Sequence, residues 1–258
     1  MIHIKSAEEI AIMRDTCRLA AQTLAMIEEH VKPGVTTQQL NDICHDYIIS
    51  NGAIPSPLNY RGFPKSICTS INHQICHGIP SERVIRDGDI INIDITTYLN
   101  GFHGDTSKTF HVGTPTAKGE KVRKVALECL EAGIAVALPG IMLKTIGATI
   151  ERLAKKNRCT VVREYCGHGI GREFHEEPAV LHYEDSRDRI IIRPGMVFTI
   201  EPMINLGKPA IKLMKDNWTV VTKDHSLSAQ FEHTILITEN GNEVLTDLGG
   251  KKTVMDAA

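Results

Sequence analysis

Two aspartates are the first residues of this chain whose type and spacing point to chemistry. The stretch "NIDITTYLNGFHGDTSKTF" (92–110) sets Asp94 inside a β-branched run and Asp105 just past a turn. A carboxylate in such a strand is costly to bury unless something neutralises it. Asn100-Gly101 is a strong two-residue hairpin signal. It pairs Leu99 with Phe102, which lays Thr96 opposite Asp105. Asp94 and Asp105 then become diagonal neighbours on one face, with Cα atoms roughly 7–8 Å apart. Two solvated strand carboxylates are the plainer alternative.

An internal repeat supplies further carboxylates. "IRDGDIINID" (85–94) and "IRPGMVFTIE" (192–201) align without a gap, matching Gly88 with Gly195 and Asp94 with Glu201. "VKPGV" (31–35) resembles "ALPGI" (137–141), and "CHGIP" (76–80) resembles "GHGIG" (167–171), which matches His77 with His168. "HGDTS" (103–107) falls on "QFEHT" (230–234), pairing Asp105 with Glu232. Two repeats related by a pseudo-twofold axis bring Asp94, Asp105, Glu201 and Glu232 to one place. Like charges that close stay ionised only with compensation, and divalent cations bridged by carboxylates provide it. His168, in a glycine-rich loop that allows close backbone approach, is the candidate nitrogen ligand.

The elements that must position these groups also come twice. Ser6 and Glu9 form a capping box. Ile10, Met13, Cys17, Ala20, Leu24 and Ile27 then recur at helical spacing. Pro33-Gly34 breaks that helix, and a second covers about 37–50. The later part repeats the scheme, with a helix over about 118–137, a break at Pro139-Gly140 and a helix to about Lys156. The expected architecture is α+β: two related halves, about 1–115 and 116–250, whose strands share a mainly antiparallel sheet inside the helices. They act as one catalytic domain, 1–250, with 251–258 as a loose C-terminal tail.

Totals narrow the class. The chain has 258 residues, 42% hydrophobic and 23% charged, with a formal net charge of -2, an ordinary globular balance. Near-neutral charge gives no electrostatic case for nucleic acid or membrane binding. Seven cysteines without a C-x-x-C pair argue against a disulfide framework or a thiolate zinc site. "MIHIKSAEEI" has no signal-peptide pattern and no stretch approaches membrane-spanning length, so a cytoplasmic protein is expected.

Asp94, Asp105, His168, "TIEP" with Glu201 and "QFEHT" with Glu232 resemble the five-ligand set of the methionine aminopeptidases, in the bacterial type I form. "KSICTSIN", "CHGIP", "GFHGDTS", "REYCGHGIGREFHEEP", "GMVFTIEPMI" and "KDNWTVVTKDHSLSAQFEHT" are similar to its motifs, and the resemblance spans essentially residues 2–248. It implies the pita-bread (creatinase/aminopeptidase-like) fold and removal of N-terminal methionine from nascent chains whose second residue is small. It also implies two divalent ions (Co2+, Mn2+, Fe2+ or Zn2+). Asp94 would chelate one, His168 and Glu201 the other, with Asp105 and Glu232 bridging. A hydroxide held between the ions would attack the first peptide bond, with Glu201 as proton acceptor, His175 stabilising the carbonyl oxygen and His77 contacting the peptide near the leaving group. Tyr60, Phe63, Cys68, Phe174 and Trp218 correspond to the family's methionine pocket. Pro57 and Arg61 stand where bacterial members often carry Cys and His, which changes the pocket's rim. A structural Na+ or K+ beside Asn72, Gln74 and Ser228, a monomeric state and transient contact with the ribosome complete what the resemblance implies. His103 and His233 are expected on the opposite strand face from the carboxylates, and not as ligands.

Two rivals differ in substrate or class. An Xaa-Pro peptidase shares the fold but usually carries an added N-terminal domain. A non-catalytic binding member would have lost metal ligands, and all five stand here.

Overall fold

The computed structural model describes residues 1–249 and 251–254. The chain opens with α1 (Ala7–Ile27), whose N-terminus is closed by the Ser6–Glu9 capping box, and α2 (Thr37–Ser50), closed by the same device from Thr36 and Gln39. Short strands β1 (Ile54–Pro55), β2 (Cys68–Ile71) and β3 (Gln74–Cys76) precede the long hairpin of β4 (Ile90–Leu99) and β5 (Phe102–His111). After residue 115 come α3 (Ala117–Ala135) and α4 (Lys144–Lys156). The strands β6 (Thr160–Val161), β7 (Gly167–Gly169), β8 (Glu176–Val180), β9 (Val197–Ile200) and β10 (Met203–Asn205) follow. The chain continues through β11 (Ile211–Leu213), β12 (Val220–Thr222), β13 (Ser228–Gln230), β14 (Glu232–Thr238), β15 (Gly241–Val244) and β16 (Lys252–Val254).

Residues from before and after position 115 build one ten-stranded sheet, with the path β1-β4-β5-β14-β9-β7-β8, and its described strand pairings are antiparallel. The β4–β5 register runs without a bulge from Ile90↔His111 to Leu99↔Phe102, with Asn100 and Gly101 at the tip, both left-handed. Period two then sorts the hairpin. Ile91, Ile93 and Ile95 pack with Leu40 and Ile48 of α2 in one core cluster, leaving Asn92, Asp94 and Thr96 for the other face. In the second cluster Val122, Ile146 and Ile150 from α3 and α4 pack with Phe198, Ile200 and Ile235. Gly104 is required by contact: a Cβ there would lie 2.7 Å from the backbone nitrogen of Cys17 in α1.

The repeat is visible in backbone geometry. Matched glycines share a left-handed conformation: Gly88 and Gly195 have φ 87° and 81°, Gly34 and Gly140 φ 96° and 84°. In the β5–β14 pairing Glu232 lies opposite Ser107 and His233 opposite Thr106. Exchanging matched positions returns the same register, so the pseudo-axis passes through the Thr106–His233 pair. The two copies differ by an excursion. Glu201 leads to Glu232 through β10, β11, β12 and β13, where Asp94 and Asp105 are joined by the tight hairpin.

Two expectations need correction. Residues 252–254, read as part of a loose tail, form β16, which pairs with β15 through Gly241↔Val254 and Glu243↔Lys252. The open edge of β15 offers unpaired backbone groups, and a following segment satisfies them. Residues 255–258 lie outside the described residues. His103 does not face away from Asp105: the two are separated by two positions in β5 and share a face. The His103 ring stacks on Phe174 at 5.5 Å, and its Nδ1 pairs with the Ser56 hydroxyl at 2.8 Å. His233 does lie opposite its neighbour Glu232, bound through Nδ1 to the Thr246 hydroxyl.

Candidate metal centre and peptide cavity

The hairpin delivers Asp94 and Asp105, the end of β9 delivers Glu201, and the start of β14 delivers Glu232. His168 enters from β7, where its backbone N–H donates to the Thr199 hydroxyl at 3.0 Å. Ligand atoms of Asp105, His168 and Glu232 lie within 4.8 Å of one another. The His168 Nε2 is 3.8 Å from Asp105 Oδ2 and 3.6 Å from Glu201 Oε1. Asp105, Glu201 and Glu232 are buried, at 4%, 9% and 2% exposure.

Polar neighbours hold the carboxylates in place. The Thr96 hydroxyl donates to Asp105 at 2.8 Å, the Thr199 hydroxyl to Glu201 at 2.9 Å, and the Gln230 amide to the second Glu201 oxygen at 3.1 Å. Burial is the first cause that raises every carboxyl of the cluster. It pushes Asp94 up to about 7, and burial together with the nearby Asp94 charge pushes Glu201 up to about 8. Asp105 and Glu232 are held well above the usual carboxylate range by burial and then by their acidic neighbours.

This is the electrostatics of a site built for cations. The only described side chain with a basic nitrogen within ion-pair distance of the four carboxylates is His168, and burial keeps that imidazole neutral, at about 4. Its tautomer follows from its partner. A carbonyl only accepts, so Nδ1 donates to Gly169 O at 2.9 Å and the Nε2 lone pair faces the carboxylates. A lone pair aimed at carboxylate oxygens is repulsive unless a proton or a metal ion lies between them, and a second ring nitrogen bound to a carbonyl is the usual orientation device of a metal-ligating histidine. Hard oxygen donors with one imidazole fit divalent first-row ions.

Above the carboxylates opens a cavity of about 280 Å³. Asp94, Asp105, His168, Glu201 and Glu232 form its charged side, and the pocket candidates Tyr60, Phe63, Cys68, Phe174 and Trp218 all line it, as do His77, His175, Pro57 and Arg61. Phe63 meets Trp218 edge-on at 5.2 Å, and Tyr60 lies 4.9 Å from Phe174. Cys68 is opposite Asp94 in the β2–β4 register, and burial first, then the Asp94 charge, keeps its thiol protonated. His77 has φ 55°, packs edge-on to Tyr165 and Trp218, and is pushed down to about 4 by burial. The Tyr60 hydroxyl pairs with His175 Nδ1 at 2.9 Å, and the His175 ring lies 4.2 Å from that of His168. Desolvation, then the His168 imidazole and the Arg61 charge, holds His175 neutral.

Among the participants not singled out as site residues from the sequence, four show where a signal was or was not present. Thr199 and Gln230 sit two positions before Glu201 and Glu232, so the strand period alone would have flagged them as sharing the ligand face. Tyr165 and Met203 line the cavity through tertiary placement, with no local signal. Away from the cavity, Asn72 and Gln74 spend their side chains on the backbone N–H groups of Ile90 and Ile71, while the Ser228 hydroxyl is buried without a partner among the described residues.

Residues 11–239 match metallopeptidase family M24. Over 247 residues the chain is 54% identical to the methionine aminopeptidase of Escherichia coli, covering 95% of this chain and 94% of that one. The crystal structure of the methionine aminopeptidase from Rickettsia prowazekii superposes with a TM-score of 0.94 at 50% identity, covering 96% of this chain and all of that one. The prolidase from Pyrococcus furiosus shares the fold at a TM-score of 0.75 and 25% identity, and 65% of its length is covered. The α+β architecture is therefore the pita-bread fold, and the chain belongs to metallopeptidase family M24.

Proposed function

We propose that this chain is a metal-dependent aminopeptidase that removes the N-terminal methionine from peptides and nascent proteins whose second residue is small. The observation that carries the reading is a single cavity with five oxygen and nitrogen donors on one side and sulfur and aromatic edges on the other. Asp94, Asp105, His168, Glu201 and Glu232 would hold two divalent cations, with Co2+, Mn2+, Fe2+ and Zn2+ all compatible with the donors. Cations bound there supply Lewis acidity, lowering the pKa of water and polarising the scissile carbonyl.

The protein's own groups do the rest. Methionine's side chain enters among Phe63, Cys68 and Trp218, where a polarizable thioether gains from aromatic edges. A cavity near 280 Å³ is at the lower end of small-molecule sites, roughly 300–1,000 Å³, and suits one residue with its peptide bond. With the Tyr60 hydroxyl as donor in its bond to His175 Nδ1, Nε2–H is left to donate to the carbonyl oxygen as charge develops there. Glu201 takes the proton that the attacking water releases. His77 contacts the peptide near its leaving nitrogen. The two related halves work as one catalytic domain because both supply ligands. The Ser228 hydroxyl, with backbone carbonyls near Asn72 and Gln74, is offered as the site of a structural Na+ or K+. No described helix is long and apolar enough to cross a membrane, and a cytoplasmic monomer that meets nascent chains at the ribosome fits the substrate.

The test is metal-dependent methionine release from a peptide series. Met-Gly and Met-Ala peptides are expected to turn over, Met-Trp and Leu-Gly peptides to be poor, and Glu232→Ala to be inactive. A pocket rejects an oversized group by clash more strongly than it rewards a matching one. Equal turnover of Met-Gly and Met-Trp, or preference for Xaa-Pro peptides, would overturn the reading.

A further inference from the structure

The loop before β2 carries Arg61, a cation with no ion-pair partner among the described residues. Tyr60 N–H donates to Pro57 O at 3.0 Å, Asn59 N–H to Phe63 O at 2.8 Å, and Phe63 N–H to Tyr60 O at 2.9 Å. These bonds close a tight turn in which Asn59, Arg61 and Gly62 have φ 66°, 49° and 87°. A left-handed arginine is uncommon, because its Cβ crowds the backbone there. Non-glycine residues held in that region gather at ligand clamps and active sites.

The turn sets Arg61 on the rim of the peptide cavity. Its guanidinium lies over the Tyr60 ring, 5.2 Å from the centroid, and has no carboxylate within ion-pair distance among the described residues. Glu164, the other charged rim residue, turns its carboxylate back onto the Arg163 backbone N–H at 3.1 Å. The ring beneath Arg61 is the one whose hydroxyl holds His175. Arg61 is therefore an exposed, unpaired positive charge next to the group proposed to face the scissile carbonyl.

We propose that Arg61 is a specificity residue that favours a carboxylate on the third residue of the substrate. This rests on the aminopeptidase reading above. The first residue fills the pocket and the second must be small, so the third is the first side chain free to vary. Extended chain advances about 3.3–3.6 Å per residue, which puts that side chain roughly 7 Å beyond the scissile carbonyl, within reach of an arginine on the rim. An exposed rim charge acts mainly on encounter and on salt dependence. Its effect on kcat/KM is therefore a few-fold, carried by KM.

The experiment uses the metal-loaded protein with C-terminally amidated Met-Ala-Asp-Gly, Met-Ala-Asn-Gly and Met-Ala-Lys-Gly. Asp and Asn have the same shape, so their ratio reads charge alone. The expected kcat/KM for Asp is about two- to fivefold above that for Asn, with Lys below both. The ratio should shrink toward one in about 0.5 M salt and in Arg61→Gln, and return in Arg61→Lys. An unamidated Met-Ala-Gly tripeptide tests the other source of a carboxylate, the chain's own end. Equal rates for Asp and Asn, or a preference that survives Arg61→Gln, or a gain seen only with the free C-terminus, would overturn the proposal. Failure to cleave the Asn peptide at all would instead overturn the aminopeptidase reading.

Discussion

Loading the site with a divalent ion is expected to expel protons, and the number follows from the buried cluster. Without a cation, Asp94 is pushed up to about 7 and Glu201 to about 8, while Asp105 and Glu232 stand well above the usual range. The four carboxylates share their protons as a group, so near neutral pH the cluster holds more than one between them. His168, at about 4, holds none there. Ligands must be deprotonated to bind, so metal uptake releases those protons and apparent affinity climbs roughly 10²-fold per pH unit for two of them. The same shifts act on folding. A carboxyl raised in the folded state keeps a proton that the unfolded chain has already lost, so the metal-free protein is most stabilised below the unfolded values near 4. It loses that stability as pH rises through 7 and 8. The assay is calorimetric titration of Mn2+ into chelator-stripped protein in two buffers of different ionisation enthalpy, paired with thermal melts between about pH 6 and 8. Release of less than one proton near pH 7, or a melting temperature of the stripped protein that rises with pH, would refute the reasoning.

Other outcomes follow from particular contacts. His168→Ala should lose metal affinity, because His168 is the imidazole whose Nε2 faces the carboxylates. His175→Ala should keep the metal and lose roughly 10²–10³ in kcat; comparable metal loss in both variants, read beside kcat and KM, would show that both are ligands. Gly104→Ala should destabilise the fold by about 1–3 kcal/mol or more, since its new Cβ meets the α1 backbone at 2.7 Å and not a movable side chain; an unchanged denaturant midpoint would contradict that packing.

Legibility in the sequence followed the range of the physics. The hairpin register was readable because Asn100-Gly101 fixes it locally, and Thr96↔Asp105 followed by counting. The repeat was readable because left-handed turns demand glycine at Gly88 and Gly195. His103 was misplaced by treating sequence proximity as alternation, although two positions along a strand restore the same face. β16 escaped because Lys252–Val254 has little local strand signal and forms against an edge supplied by residues 241–243. The catalytic roles of His77 and His175 rested on resemblance, since nothing in "CHGIP" or "FHEEP" foretells the Tyr165, Trp218 and Tyr60 contacts that orient them.

The axis through the Thr106–His233 pair has a consequence for how the protein is born. Asp105 and Glu232 come together only when β5 pairs with β14, across more than a hundred residues of chain. Loop closure on that scale is slow and must precede the contacts that reward it. During synthesis the first hairpin can form against α1 with two carboxylates but without His168, a poor chelator that still leaves its charges open to water. Competent cation capture then waits until residue 232 has left the ribosome. Metal would thus act as the last clasp of folding, and a chain stalled before β14 would be a folded start with no enzyme in it.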